Sequence, residues 1–374
     1  MTTTSIPTQQ GGDPAGQGPS ADEFAERLFA ASLGTLDILS AYLGDRLGWY
    51  RSLAETGPAT SMELAARTGT DERYAREWLE QQAVTGVLVV HEDGDGAVPR
   101  FELPPGPAEV LTDTSSLSYL GPIARMIAAS AVQLPALLHA YRSGGGVSWE
   151  ELGTDARESQ ADMNRPWYEQ RLGAALADLP DVHAALSRPG ARVLDVGCGG
   201  GWSTISLARA YPEARLEGVD VDAPSVQAAT ANAAAAGLAD RVRFRLADGA
   251  ELRADGEDAL YDAAFAFECV HDMAAPVDVL AAVRRAVRPD GLVIVMDEAV
   301  AEEFTAPGDE LERLMYGFSL FVCLPDGRSS SPSVATGTVM RPRTLEDYAR
   351  RAGFDGIDVL PVPDFGFWRF YRLR

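Results

Sequence analysis

The stretch Arg192-Val-Leu-Asp-Val-Gly-Cys-Gly-Gly-Gly201, running into Trp202-Ser-Thr-Ile-Ser-Leu-Ala208, constrains the fold more than any other part of this chain. Its first half is a compact aliphatic run with the pattern of a buried parallel strand. Glycines then stand at 197, 199, 200 and 201. Ser203 and Thr204 open an apolar-periodic run, as at a helix start. Strand, glycine turn and helix together aim backbone N–H groups and a positive helix end at a bound ligand. Without Cβ atoms, the turn lets that ligand approach the backbone.

The spacing narrows the ligand. A dinucleotide fingerprint needs glycine at 202, where Trp202 stands. No Lys-Ser/Thr pair follows the loop, which excludes a phosphate-gripping P-loop. What remains is Asp195-x-Gly197-x-Gly199-x-Gly201, an acid beside alternating glycines. An acid there suits a cationic or zwitterionic ligand better than a pyrophosphate. The stretch resembles the nucleotide-binding motif of class I S-adenosylmethionine-dependent methyltransferases; an ordinary glycine turn in an α/β sheet is the alternative.

At 374 residues the chain is long enough for two or three domains. Its 46% hydrophobic and 23% charged content is that of a soluble globular protein. The net charge is −23, and every basic side chain is Arg. Such acidity argues against nucleic acid as the main partner. Cys198, Cys269 and Cys323 are too few and scattered for a disulfide framework or a zinc site, so a reduced cytoplasm is expected and no metal ligand is assigned. No signal peptide is visible. The most apolar long stretch, Met126–Tyr141, is too short to span a bilayer.

Residues 1–20 are expected to form a disordered tail. Residues 21–110 show a winged-helix outline: helical patterns from Glu23 and from Gly48, an N-capped short helix after Pro58-Ala-Thr60-Ser61, a turn at Gly69-Thr-Asp71, a helix over Glu72–Val84, and a hairpin turning at Asp93-Gly-Asp-Gly96. The helix that would enter a DNA groove sets Asp71, Glu72, Glu77 and Glu80 against Arg73 and Arg76. That is net repulsive towards phosphate, and the domain is expected to join two chains instead. Residues 111–160 form a helical linker or lid with interruptions at Pro122 and Pro135, and residues 161–374 the cofactor domain.

From 192 the chain alternates strand and helix, which implies a parallel sheet covered on both faces. Strands are placed near 192–197, 215–221, 242–247, 261–268 and 291–297. A helix at Leu345–Ala352 precedes two antiparallel strands near 356–362 and 367–373. Ligands in such sheets sit beyond the carboxyl ends of the strands, where strand order reverses. Those ends carry Asp220-Val221, Asp248-Gly249, Glu268-Cys-Val-His271-Asp-Met273 and Asp297-Glu298. A carboxylate about 25 positions beyond Asp195 can accept from ribose hydroxyls.

Residues from about 165 resemble class I S-adenosylmethionine-dependent methyltransferases. From about 23 onward the chain resembles the bacterial two-domain group with an N-terminal winged-helix-like domain. The stretches that carry this are Pro58-Ala-Thr-Ser61 with Ala75-Arg-Glu-Trp-Leu79, Asp195 to Trp202, Glu268-Cys-Val-His-Asp272, Pro289-Asp-Gly291 and Phe367-Trp-Arg-Phe-Tyr371. The resemblance implies a seven-stranded Rossmann-like sheet behind an α-helical winged-helix-like domain, with S-adenosyl-L-methionine as cofactor. It further implies that Gly197, Gly199 and Gly201 contact the methionine part, Asp220 the ribose, and Asp248 with Gly249 the adenine, with Asp195, Cys198 and Val221 also against the cofactor. Glu268 would lie near the methionyl amino group, and Tyr168 would close over the cofactor.

A sulfonium methyl is already electrophilic, so the protein must align an acceptor and, for a hydroxyl or carbon acid, remove a proton. His271 is the candidate base, with an ordinary pKa near neutrality and Glu298 to orient it. Arg313–Leu324 is apolar nearly all round and would line an acceptor pocket or pack on neighbouring helices. The expected reaction is methylation of a small, hydrophobic or aromatic acceptor at O, N or C in secondary metabolism. An S-adenosylmethionine-binding transcriptional regulator and a protein methyltransferase are the alternatives. The expected partners are a small-molecule acceptor and a second copy of the chain, with no nucleic acid and no membrane.

Overall fold

The computed structural model describes residues 18–91, 98–252 and 261–374. Most of the expected tail and the turn Asp93–Gly96 lie outside them. Helix α1 (Ala21–Arg46) begins at a capping box, with the Ser20 N–H donating to the Glu23 carboxylate at 2.7 Å and the Ser20 hydroxyl accepting from the Glu23 N–H. Helices α2 (Trp49–Thr56), α3 (Ser61–Thr68) and α4 (Glu72–Val84) follow, and β1 (Val89–His91) pairs antiparallel with β2 (Arg100–Glu102). Ala59 bridges to Phe101, so the segment before α3 extends this wing. The domain closes on an aromatic core in which Trp49 and Tyr50 meet Trp78 at ring separations of 4.8 and 4.9 Å.

Helices α5 (Pro105–Thr112), α6 (Gly121–Val132), α7 (Leu134–Ser143) and α8 (Trp149–Trp167) connect the wing to the sheet. Pro122 and Pro135 stand in the first turns of α6 and α7. There no intrahelical N–H is needed, so they start helices rather than break one. Buried Arg125 on α6 pairs with Asp162 of α8 at 2.9 Å and with Asp45 of α1 at 3.2 Å. Tyr42 donates to Asp155 at 2.7 Å. These contacts clasp α1 to α8. Helix α8 continues through a π-helical turn, Tyr168–Leu172, into α9 (Gly173–Ala177), and α10 (Pro180–Leu186) follows. The division drawn from sequence at 160/161 falls inside α8.

The sheet domain runs β3 (Arg192–Val196), α11 (Trp202–Ala210), β4 (Arg215–Asp220), α12 (Ala223–Ala235), β5 (Val242–Leu246), β6 (Tyr261–Phe267), α13 (Pro276–Ala286), β7 (Val287–Glu298), α14 (Glu310–Phe318), α15 (Leu324–Gly327), α16 (Pro342–Arg351), β8 (Ile357–Val359) and β9 (Trp368–Leu373). Its seven strands are ordered β5-β4-β3-β6-β7-β9-β8. The first five pair in parallel, and β9 lies antiparallel to β7 and β8. Each face is buried: Val193 enters one apolar cluster, Leu194 and Val196 the other, the period of two expected of a strand. Strand order reverses between β3 and β6, which opens the crevice for the site. Among the described residues no single helix is long and apolar enough to cross a membrane; α6 and α7 reach that length only as a pair bent by 58°.

Candidate active site

The turn between β3 and α11 is held by its neighbours. The Gly197 and Cys198 N–H groups both donate to the Val219 carbonyl, at 2.8 and 3.1 Å, which locks the turn onto β4. Gly197 and Gly201 have φ of 68° and 79°, and side chains would not fit. A Cβ on Gly197 would stand 2.7 Å from the Cys269 sulfur, and one on Gly201 would stand 2.6 Å from the Phe244 ring. Gly199 differs. A Cβ there would meet nothing within 4 Å, because its backbone faces the cavity.

That cavity measures about 790 Å³ and opens at the carboxyl ends of β3, β4 and β6. Gly197, Cys198, Gly199, Asp220, Val221, Asp248 and Gly249 lie in its wall, as do Tyr168, Glu268, His271 and Glu298. Two expected ligand contacts do not. Asp195 is 1% exposed beneath the turn and accepts from the Ser203 and Thr204 hydroxyls at 2.6 Å each. It fastens the first turn of α11 to β3 instead, and burial pushes its carboxyl up to about 6. Gly201 also lies behind the wall, where its lack of a side chain admits Phe244 and Ala229; Gly200 takes its place in the lining.

Asp220, at the end of β4, accepts the Gly199 N–H on Oδ2 at 2.8 Å and the Asp222 N–H on Oδ1 at 2.9 Å. A carboxylate offers about four acceptor positions, so capacity remains for a diol in the cavity. Arg157 reaches from α8 to Asp222 through bonds of 2.7 and 2.9 Å. Asp248 accepts the Ala250 N–H at 2.8 Å and so shapes the short turn after β5.

Glu268 directly follows β6 with φ of 53°, unusual backbone for a side-chain-bearing residue and located at the site. Its N–H donates to the Met296 carbonyl at 2.7 Å, and its carboxylate accepts from the Asn164 amide of α8. Tyr168 begins the π-helical turn and packs against Phe267 at 5.6 Å. Asn164 carries no signal in the sequence, since it sits in mid-helix among ordinary helix residues.

His271 stands in a short 3₁₀ turn after β6 and is buried. Its Nδ1 lies 2.9 Å from Asp297 Oδ1 and 3.2 Å from Glu298 Oε2, and its Nε2 lies 3.3 Å from Asp272 Oδ1. Nδ1 carries a single hydrogen, and the bond goes to Asp297. Glu298, expected as the orienting partner, stands beside the ring, but its Oε2 makes no hydrogen bond. The expected near-neutral pKa also needs correction. Burial alone would lower the imidazole, but Asp272, Asp297 and Glu298 outweigh it and hold His271 well above the usual value. Burial, reinforced by the charge of Asp297, keeps Glu298 well above the carboxylate range. Asp297 stays below that range, because the imidazolium charge together with hydrogen bonds from His271 and from Glu298 outweighs its burial. His271, Asp272 and Cys323, and separately His271, Asp297 and Glu298, set donor atoms within 4.8 Å of one another. That spacing could admit a divalent ion, but the imidazole ion pair accounts for the second cluster without one.

The expected apolar helix at 313–324 is divided into α14, a π-helical turn at Ser319–Cys323, and α15. Met315, Phe318 and Val322 line the cavity with Met126 and Trp149, Val322 and Cys323 also pack with Met126 and Leu137, and Leu320 and Phe321 face outward.

A family model described as a methyltransferase domain matches residues 187–320, and one described as an Rv2258c-like winged HTH domain matches residues 35–113. The chain carries a methyltransferase domain. It is 34% identical over 110 residues to the 27-O-demethylrifamycin SV methyltransferase of Amycolatopsis mediterranei, covering 29% of this chain and 39% of that protein. It is 29% identical over 186 residues to a ubiquinone biosynthesis O-methyltransferase of Cereibacter sphaeroides, covering 48% and 66%. The chain spans less than two thirds of the length of either relative. Among solved structures, the mitomycin 7-O-methyltransferase superposes with a TM-score of 0.68 at 22% identity, covering 94% of this chain and 98% of that one. Human N-acetylserotonin methyltransferase, solved with S-adenosylmethionine, gives 0.69 at 18% identity, covering 96% and 99%. At these identities the likeness shows the fold, winged domain and sheet together. A methyltransferase domain of this kind takes S-adenosylmethionine. The chain fits it: the Gly199 backbone is open to the cavity, and the Asp220 carboxylate stands beside it.

Proposed function

We propose that this chain transfers a methyl group from S-adenosylmethionine to a hydroxyl on a small, hydrophobic or aromatic acceptor. The observation that carries the reading is one cavity lined both by the glycine turn and Asp220 and by His271 and the apolar side chains Met315, Phe318 and Val322. The names of the two curated relatives and of the mitomycin structure each state an O-methyltransferase or a demethylated small molecule, which favours oxygen over nitrogen or carbon.

S-adenosylmethionine, when bound, supplies a methyl carbon made electrophilic by its sulfonium. Gly197, Cys198 and Gly199 hold the methionine part against the turn. Asp220 with Val221 receives the ribose, and Asp248 with Gly249 the adenine. Glu268, fixed by Asn164, faces the amino group, and Tyr168 covers the site. The apolar wall seats the acceptor so that its oxygen lies in line with the transferred carbon, an alignment worth roughly 7–11 kcal/mol in well-oriented systems. His271 Nε2 would take the proton of the acceptor hydroxyl that receives the methyl group. Asp297 holds the Nδ1 hydrogen and stabilises the imidazolium that results.

The chain acts as a homodimer in the cytoplasm and does not act on nucleic acid. Residues 21–37 of α1 are exposed throughout, and Phe24, Leu28, Phe29, Leu33 and Leu36 show 49–67% of their surface. A helix so unsupported is marginal in water, so a second copy covers it. On α4, Arg73 and Arg76 are paired with Glu77 and Glu72, which leaves no free cation for phosphate among these residues. The three thiols are unpaired, in keeping with a reducing compartment. The division into a winged-helix-like domain to about 110, a linker or lid to about 160 and a cofactor domain beyond is part of this reading. Calorimetric titration with S-adenosylmethionine, followed by a screen of phenols and hydroxyquinones for labelled methyl uptake, tests it. Absence of cofactor binding would remove it.

A further inference from the structure

The cavity wall is acidic as well as apolar. Asp272 and Asp326 both stand in it, as do the apolar side chains Met315, Phe318 and Val322. Among the described residues, Arg157 is the one Arg in the lining, and it is committed to Asp222. Asp326 Oδ1 accepts the Trp149 N–H at 2.6 Å, and no basic side chain pairs with its carboxylate among the described ion pairs. Two further observations point to a ligand. Glu298 is 2% exposed and lines the cavity, yet its Oε2 has no hydrogen-bond partner. The Asp272 Oδ1 is likewise unpartnered. Its approach to His271 Nε2 at 3.3 Å is an ionic contact without hydrogen-bond geometry. His271 is thus the one cationic group offset against this set of acids, and Asp297 already holds its Nδ1 hydrogen.

Carboxylates that share one cavity without a counter-cation give it a negative potential, and a cleft lined by one sign of charge concentrates ligands of the other. We infer that the acceptor carries a protonated amine on its apolar body, and that Asp326 and Asp272 hold this ammonium while the hydroxyl meets His271. The inference rests on the methyltransferase reading and specifies the substrate class within it. The ammonium is a recognition element and takes no part in the methyl transfer. Burial first, and then the charges of Asp272, Asp222 and Asp220, push the Asp326 carboxyl up to about 7; a cation bound there would favour its ionised form. A carboxylate-bearing acceptor of the same shape meets like charge at both aspartates and is rejected.

The test uses the full chain saturated with S-adenosylhomocysteine, after a first titration has established that this product binds. Three matched 2-naphthols, bearing an aminomethyl, a methyl or a carboxymethyl group, are then titrated calorimetrically. The aminomethyl compound should bind roughly tenfold or more tightly than the methyl compound, with the carboxymethyl compound weakest. Asp326→Asn keeps the acceptor for the Trp149 N–H and should bring the first two towards parity while leaving S-adenosylhomocysteine affinity unchanged; Asp272→Asn should also narrow the gap. Equal binding of the amine and its neutral analogue, preference for the carboxylate, or no binding of any of the three would overturn the inference and leave the methyltransferase reading standing. Loss of S-adenosylhomocysteine affinity in Asp326→Asn would place that carboxylate on the cofactor, which also overturns it. Failure of the first titration removes both readings.

Discussion

His271 and Asp297 form a buried ion pair, with Nδ1 2.9 Å from Oδ1 and the two side chains 2% and 1% exposed. The pair joins the turn after β6 to the end of β7 and fixes which imidazole nitrogen is available. With Nδ1–H committed, Nε2 is the atom that can take a proton. Asp297→Asn should therefore lower kcat by roughly tenfold or more while leaving S-adenosylmethionine affinity unchanged. Glu298→Gln should cost less, because Glu298 makes no hydrogen bond to the ring through Oε2. Steady-state kinetics beside calorimetry separates the two; a greater kcat loss in Glu298→Gln would restore Glu298 as the orienting group.

The same acids set the pH dependence. His271 binds its proton more tightly than a free imidazole, so the base form is scarce at neutral pH and grows as pH rises. Activity should climb through pH 7 and beyond, and Asp297→Asn should move the rising limb to lower pH. The stability that this pair contributes has the matching sign. The imidazole's share is fully present below about pH 6.5, its unfolded value, and is lost as pH rises through the folded one, while the Asp297 share is lost as that carboxyl protonates in acid. A pH–rate profile on wild type and Asp297→Asn, with melting curves at the same pH values, checks both.

Asp220 faces the cavity with acceptor capacity beyond its two backbone bonds. Asp220→Ala should weaken S-adenosylmethionine binding by roughly 1–3 kcal/mol, the usual loss for a charge-assisted hydrogen-bond acceptor. Unchanged affinity by calorimetry would show that the ribose lies elsewhere.

Two glycines of one turn should respond differently to alanine. Gly201 has φ of 79° and the Phe244 ring 2.6 Å from a would-be Cβ, so Gly201→Ala should destabilise the fold by roughly 1–3 kcal/mol. A Cβ on Gly199 would meet nothing within 4 Å, so Gly199→Ala should disturb cofactor binding more than folding, beyond the backbone cost that its own positive φ imposes. Denaturant unfolding and cofactor titration on both variants test the contrast, and identical behaviour would contradict it.

The exposed apolar stripe on α1 gives the dimer its own test. Leu28→Glu combined with Phe29→Glu should convert the protein to a monomer at micromolar concentration in light scattering. A wild-type monomer at that concentration would show that α1 has another role.

The sheet was legible from residue 192 onward because each parallel strand is a short aliphatic run closed by a polar end, and β8 and β9 follow with only a short connection. The winged outline was legible from Thr60, Gly69 and Asp71, which begin and end helices by their local chemistry. The site was legible only as a set of strand ends. Asp195 fits the motif but turns inward, because Ser203 and Thr204 offer it hydroxyls one helical turn away. Asp297 was passed over for its neighbour Glu298; adjacent residues at a strand end are not ranked by spacing, and only the coordinates show which meets Nδ1. Asn164, Asp272 and Asp326 come from elements far apart in the chain, so their convergence on one cavity leaves no periodic trace.

The most direct measurement is transfer of labelled methyl from S-adenosylmethionine to a phenolic acceptor, by wild type and His271→Ala at equal cofactor saturation. The account predicts labelled product from wild type, and transfer slowed roughly 10²–10⁴-fold in His271→Ala with cofactor affinity unchanged. Equal turnover by the two proteins, or no cofactor binding by wild type, would contradict it.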